Sequence, residues 1–246
     1  LVLVFHDLLR ARPLLIKEEK KLSSIKHLLF ALILLFPLAL AGFFGQLSMS
    51  LPRYVIGFNI NTEVLGQIGP ALMAHVFVNT FAQSISQSLL PGMAENIKDN
   101  EPKRAWNRML RVALKLLPLV LAGIVVSYFF GPFLVRIVFG SSYELAGAYL
   151  GLLSLSWSFR AYANLFNDMV LGSRKFLLYF ALQAVSFVIY LVLVSGLWYP
   201  FGLDGVVWGI ILGSVVYFLL TLFVSRRLSH PKVVNETEMH SDRNST

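Results

Sequence analysis

The chain has 246 residues, of which 57 % are hydrophobic and only 14 % are charged, and its formal net charge is +8. Soluble domains carry about 25 % charged residues, so this composition excludes an ordinary soluble domain. The sequence contains no cysteine, which excludes disulfides and cysteine-ligated metal sites. Several apolar stretches of about 20 residues or more predict an all-α membrane protein with several transmembrane helices.

Residues 1–26 begin with an apolar stretch and continue as a polar, basic linker. An apolar start at Leu1 is typical of the end of a preceding helix, so we expect a longer protein of which this is the C-terminal part. No secretory signal pattern is present at the start.

Residues 27–227 are predicted to form six transmembrane helices, and residues 228–246 a polar tail. The predicted spans are 27–50, 62–92, 102–130, 143–171, 176–196 and 204–225. Short interfacial segments are expected after the first and third spans, and Gly131-Pro132 is expected to end the third. Thr62 with Glu63 is expected to start the second helix, and Asn100 or Glu101 to cap the third.

Lysine and arginine concentrate on one side of this arrangement. They lie in the linker, in the loop after the second span, in the turn after the fourth and in the tail, whereas the other side holds only Arg53 and Arg136. The positive-inside rule therefore predicts that both ends are cytoplasmic in a multi-pass protein of the cell membrane. The charge of +8 indicates membrane topology and contact with anionic lipids rather than nucleic-acid binding.

The sequence lacks the common catalytic and nucleotide-binding motifs. No phosphate-binding loop, zinc-protease motif, nucleophile elbow or dinucleotide fingerprint occurs. The five histidines are scattered without ligand spacing, and Asn235-Glu-Thr237 and Asn244-Ser-Thr246 match the glycosylation pattern by chance on the cytoplasmic side. We therefore expect no catalytic residue, metal site or cofactor, and a protein that is not an enzyme.

Three predicted helices carry polar faces at helical spacing. These faces comprise His75, Asn79, Gln83 and Ser86 on the second helix, Tyr149, Ser156, Trp157, Arg160, Asn164, Asn167 and Asp168 on the fourth, and Tyr179, Gln183, Ser186 and Tyr190 on the fifth. Two interpretations fit such faces. The polar groups join helices by hydrogen bonds worth about 0.6 kcal/mol each, or they line a water-filled substrate cavity.

Arg160 favours the cavity, because an arginine at bilayer depth costs about 2.5–3.5 kcal/mol and needs compensation. Asn164 is within its helical reach, but Asp168 lies about 12 Å further along the axis. Arg160 thus has no acidic partner on its own turn. Two interpretations of Arg160 therefore remain. Either it faces a cavity and binds a phosphate or pyrophosphate, or it pairs with a group elsewhere.

Three further residues each have two interpretations. Arg53 either extends to the outer headgroups or contacts substrate. His75 is either a satisfied interior histidine or a proton carrier. Asp168 is either a solvated acid at the end of a helix or a gate contact to Arg174 or Lys175.

The order of several loose motifs resembles one transporter family. The motifs are Leu51-Pro-Arg-Tyr-Val-Ile-Gly57, Glu63-Val-Leu-Gly66-Gln-Ile-Gly69, Leu90-Pro91, a basic amphipathic loop, Gly131-Pro132 to Gly140, and Tyr199-Pro-Phe-Gly-Leu-Asp-Gly205. Together they resemble the C-terminal lobe of the polysaccharide/O-antigen flippase family, within the multidrug/oligosaccharidyl-lipid/polysaccharide exporter superfamily.

The resemblance implies one six-helix lobe of a two-lobe transporter that works by alternating access. Its partners would be a lipid-linked oligosaccharide, membrane lipids and an N-terminal lobe absent from this sequence. Arg160 would hold the pyrophosphate, while Asn79, Gln83, Asn164 and Gln183 would contact sugar or phosphate oxygens. The alternatives are a multidrug or cation antiporter of the same superfamily, an integral-membrane glycosyltransferase or polymerase, and an assembly subunit without transport activity.

Overall fold

The structure, a computed structural model, describes residues 25–99 and 101–229. This part of the chain is 96 % helical and contains no strand. Its helices are α1 (Ile25–Asn59), α2 (Thr62–Lys98), α3 (Pro102–Phe139), α4 (Glu144–Gly172) and α5 (Phe176–Ser229), with a short 3₁₀ turn at Ser141–Tyr143. Most of the expected linker and tail lies outside the described residues.

Four helices, α1, α2, α3 and α5, are long and apolar enough to cross a membrane. The all-α class is therefore confirmed, and these four helices indicate a membrane protein. The helix α4 is not among these four, although it was predicted as a span. It packs against α2, α3 and α5 at once, and it buries polar residues such as Ser156 and Asn167. A helix enclosed by other helices is not required to present an apolar surface all round, which accounts for its lower hydropathy.

The helix α5 is a hairpin of two arms, residues 176–201 and 203–229, that meet at Gly202. This glycine has φ 57° and ψ −133°, outside the helical region. A side chain added at Gly205 would lie 1.9 Å from the carbonyl oxygen of Leu197, and one at Gly209 would lie 2.8 Å from Cα of Val194. The arms therefore run antiparallel in direct backbone contact, and glycine at these positions permits the close approach.

The helices α2, α4 and the second arm of α5 run in the same direction. Cross-helix hydrogen bonds join Asn79 to Asn164, Ser86 to Asp168, Tyr149 to Asp204 and Ser156 to Ser214. Residue numbers rise together along each pair of helices. The helices α3 and α4 are antiparallel, because Gly131 lies against Gly147 while Tyr162 bonds Ala113 nearer the start of α3.

Several predicted helix ends are wrong. The helix α1 continues through Pro52 to Asn59, α2 through Pro91 to Lys98, and α3 through Gly131-Pro132 to Phe139. Proline removes one backbone hydrogen bond, and helices packed in a bundle tolerate that loss. At Gly131 the missing side chain serves contact with α4 rather than helix termination, since an added Cβ would lie 3.0 Å from the carbonyl oxygen of Gly147.

The helix starts and the basic turn lie close to their predicted positions. The cap of α2 is Asn61 rather than Thr62, and its side chain accepts a 2.9 Å hydrogen bond from the backbone N–H of Glu63. Glu101 precedes α3, with Pro102 in the first turn, but its side chain makes no capping bond. The turn after α4 holds Arg174 at φ 55°.

The hairpin contact gives a first prediction. Replacing Gly205 by alanine places a methyl group against the Leu197 carbonyl, and such overpacking costs about 1–3 kcal/mol. Thermal unfolding of the detergent-solubilised variant should show a lower Tm. Gly196→Ala is the matched control, because nothing lies within 4 Å of its added Cβ. Equal melting temperatures for the two variants would contradict the close approach of the arms.

Candidate functional site

Arg160 lies on α4, half-buried, and faces both arms of the α5 hairpin. The central carbon of its guanidinium is 5.4 Å from the ring centroid of Tyr190 on the first arm and 5.8 Å from that of Tyr217 on the second. Both tyrosines are buried. These distances are within the range of cation–π contacts, so the arginine is held by two aromatic faces.

The two aromatic contacts explain how Arg160 is tolerated without an acid. A desolvated cation–π contact is worth about 2 kcal/mol, so two of them offset an insertion cost of about 2.5–3.5 kcal/mol. Within residues 25–99 and 101–229, no carboxylate forms an ion pair with Arg160, and no acceptor there takes a hydrogen bond from it. The positive charge is therefore not neutralised by any of these residues, and its N–H donors are unused among them.

A hydrogen-bonded network surrounds the hydroxyl of Tyr217. Gln183 Nε2 donates to this oxygen at 2.9 Å and Asn167 Nδ2 at 3.1 Å. The hydroxyl itself donates to Asn164 Oδ1 at 3.4 Å, and Asn164 Nδ2 donates to Asn79 Oδ1 at 2.8 Å. A tyrosine hydroxyl has one proton and two lone pairs, so its capacity is fully used here. The network links α2, α4 and both arms of α5.

His75 and Arg160 border the same small space between α1, α2, α4 and α5. Its volume is ≈ 30 Å³, enough for about one or two water molecules. The imidazole of His75 lies 6.1 Å from the ring of Trp157, and its Nδ1 is buried without a hydrogen-bond partner among the described residues. A polar atom of this kind normally bonds to protein or ordered water.

Most of the predicted substrate-binding residues lie together. Arg160, Asn164, Asn79 and Gln183 all belong to the Tyr217 network or stack on its ring. Gln83 lies apart, exposed on α2. Arg53 is half-buried on α1.

Asp168 follows Asn167 on α4 but is not part of the Tyr217 network. Its Oδ2 accepts a hydrogen bond from the hydroxyl of Ser86 on α2. In the part of the chain that the structure describes, it forms no ion pair with Arg174 or Lys175. Its carboxylate therefore bonds into the bundle, towards the polar face of α2.

Tyr217 is the central residue that the sequence interpretation missed. It lies in the most apolar part of the chain, but it is one of a buried series at helical spacing on the second arm, namely Ser214, Tyr217, Thr221 and Ser225. Ser214 bonds Ser156, and Ser225 bonds the carbonyl of Phe166. This spacing of three to four residues was the signal in the sequence.

Comparison with known proteins gives one distant similarity. Over 145 residues the chain is 26 % identical to the capsular polysaccharide biosynthesis protein CapF of Staphylococcus aureus. The match covers 58 % of this chain but only 36 % of that protein. No protein-family model matches the chain, and no solved structure matches it.

The Tyr217 network gives a second prediction. Tyr217→Phe keeps the aromatic face for Arg160 but leaves Gln183 and Asn167 without their acceptor, which costs about 1–3 kcal/mol. Tyr190→Phe is the matched control, since no described residue hydrogen-bonds the hydroxyl of Tyr190. Thermal unfolding should show a clearly lower Tm only for Tyr217→Phe. The same small shift for both variants would mean that the network contributes little.

Proposed function

We propose that the chain is one lobe of a transporter that flips a lipid-pyrophosphate-linked oligosaccharide across the cytoplasmic membrane by alternating access. The similarity to a capsular polysaccharide biosynthesis protein fits a role in surface polysaccharide biosynthesis. The activity, the substrate and a second lobe are parts of this proposal. We propose a transporter and not an enzyme, with no cofactor.

The directions of α2, α3, α4 and the two arms of α5 alternate along the chain. Together with α1, these helices support six membrane crossings. Each arm of α5 is about 40 Å long at 1.5 Å per residue, and the hydrocarbon core of a bilayer is about 30 Å thick. The hairpin contributes two of the proposed crossings, and α4 is enclosed as another. The basic loops on one side support the further proposal that both ends of the lobe are cytoplasmic.

The proposal rests mainly on the contacts and the positive charge of Arg160. Its guanidinium stacks on Tyr190 and Tyr217 with no acidic partner in residues 25–99 and 101–229. Guanidinium donors match phosphate oxygens in paired geometry. The amides of Asn79, Asn164 and Gln183 beside it are suited to hydroxyl and phosphate oxygens. A cation that retains its charge and its donors is adapted to an anionic substrate group.

The space beside Arg160 is small in this conformation. A volume of ≈ 30 Å³ admits water but no pyrophosphate. In the proposed cycle, the two lobes rock about a site near the bilayer midplane. In the open state the space widens and Arg160 turns its donors towards the substrate.

A third prediction tests this role in the full-length protein. Arg160→Gln should lower surface glycan by about tenfold or more, since charge-assisted hydrogen bonds contribute about 1.5–3 kcal/mol. Protein level and Tm should stay close to normal, because the two cation–π contacts and the insertion cost of the arginine that they offset are removed together. Arg160→Lys keeps the charge without the paired donors and should export an intermediate amount. Glycan at the cell surface and protein in the membrane are measured together.

The matched control is Arg136→Gln, an exposed arginine near the end of α3, for which export should be normal. Normal export by Arg160→Gln would refute the phosphate-binding role. If Arg160→Gln loses drug or cation efflux while its glycan export stays normal, the antiporter alternative is favoured instead.

A further inference from the structure

The helix α3 carries basic side chains in its first turns and apolar side chains in the turns that follow. Its first turns present Arg108, Arg111 and Lys115, all exposed, and the next turns present Leu116, Leu119, Val120 and Gly123 to a groove. At about 100° per residue, Arg108 and Lys115 share a side of α3 with Leu119, while Leu116, Val120 and Gly123 lie on the adjoining side. The cationic turns therefore lie directly before the turns that line the groove.

The apolar stretch forms one wall of a groove of ≈ 440 Å³. The helix α2 forms the other wall and α4 the floor. Three hydroxyls in the groove already bond to the protein: Ser154 donates to the carbonyl of Gly151, Ser158 to that of Ser154, and Tyr162 to that of Ala113. The groove therefore requires few hydrogen bonds from a ligand and suits a hydrocarbon chain.

The dimensions of the groove match one leaflet of a bilayer. The groove extends along α3 from Leu116 to Ser127, about 16 Å at 1.5 Å per residue. This length is about half of a 30 Å hydrocarbon core. Phe81 and Leu119 on its rim are 61 % and 59 % exposed, so the groove is open along its side.

Within the described residues, the cations at the end of the groove have no acidic partner, since the only ion pair there joins Arg104 to Glu101. Arg108 lies against α2, since a Cβ at Gly92 would be 2.4 Å from its Nη1. Arg108, Arg111 and Lys115 therefore form a cluster without an acidic partner among the described residues, directly before the apolar groove begins at Leu116.

We propose that this surface is a binding site for an anionic phospholipid. The phosphate of the lipid contacts Arg108, Arg111 and Lys115, and one acyl chain occupies the groove between α2 and α3. Charge selects the headgroup, since each basic residue near the membrane surface contributes about 1 kcal/mol towards an anionic lipid. A groove that is about as long as one leaflet fits the acyl chain of a phospholipid and is too short for the longer chain of a carrier lipid. This site is separate from the Arg160 network and does not depend on the proposed transport.

The fourth prediction concerns lipid binding by the purified full-length protein, measured by native mass spectrometry. Phosphatidylglycerol and phosphatidylcholine with identical acyl chains are titrated separately, and the bound lipid is counted. Phosphatidylglycerol should bind several-fold more tightly. In Arg111→Gln/Lys115→Gln most of this preference should be lost, because two of the three cations that contact the headgroup are removed. The matched control is Lys98→Gln/Lys103→Gln, which removes two exposed charges near the same end of α3 and should keep the preference.

The groove is tested by Gly123→Leu. Nothing lies within 4 Å of an added Cβ at Gly123, so leucine fills the groove without a clash. Glycine has a low helix propensity, so replacing it inside α3 should not lower the stability of the helix. Binding of both lipids should fall several-fold. Ala122→Leu, which places a leucine side chain on α3 outside the groove, should bind as the unmodified protein does.

Three results would overturn the proposal. One is an equal loss of lipid preference in the charge variant and its control, which would mean diffuse charge attraction. Another is unchanged phosphatidylglycerol binding by Gly123→Leu, which would place the acyl chain elsewhere. The last is displacement of phosphatidylglycerol by undecaprenyl phosphate at lower concentration, which would assign the groove to the carrier lipid.

Discussion

The contact of Arg160 with two tyrosines constrains the packing around it. Tyr190 and Tyr217 belong to opposite arms of one hairpin, so the arms must lie close enough for both rings to reach the same guanidinium. Glycine makes this possible: a Cβ at Gly213 would lie 2.4 Å from Cδ2 of Tyr190. The small residues of the hairpin therefore do more than pack helices, because they leave space for the ring that stabilises the half-buried charge of Arg160.

The same contact determines the place of α4. This helix presents Arg160 and the amides of Asn164 and Asn167 to its neighbours, and it is not among the four helices that are long and apolar enough to cross a membrane. Other helices cover it on several sides, and large apolar side chains on the outer helices, such as Phe129 and Ile137 of α3, are exposed instead. The polarity is thus concentrated in the interior and the apolar surface outside, as a bilayer requires.

The sequence predicted the helices and the polar faces better than the helix ends. Periodicity identified Asn79, Arg160, Asn164 and Gln183, because polar residues in apolar helices are few. Helix ends were misplaced where proline or glycine was read as a stop signal, since the tolerance of a packed helix for Pro52 or Pro132 depends on its neighbours. Tyr217 was missed because an aromatic residue in an apolar run is typical of a lipid-facing or core position.

Tyrosine is a better partner for Arg160 than a carboxylate would be under the proposed function. A carboxylate would neutralise the charge and occupy the N–H donors, so a phosphate would have to displace it. An aromatic face offsets part of the desolvation cost through the ring quadrupole and leaves the net charge unchanged. The hydroxyl of Tyr217, fixed by Gln183 and Asn167, also orients the ring. The arginine is therefore stabilised by contacts that do not compete with an anion for its charge.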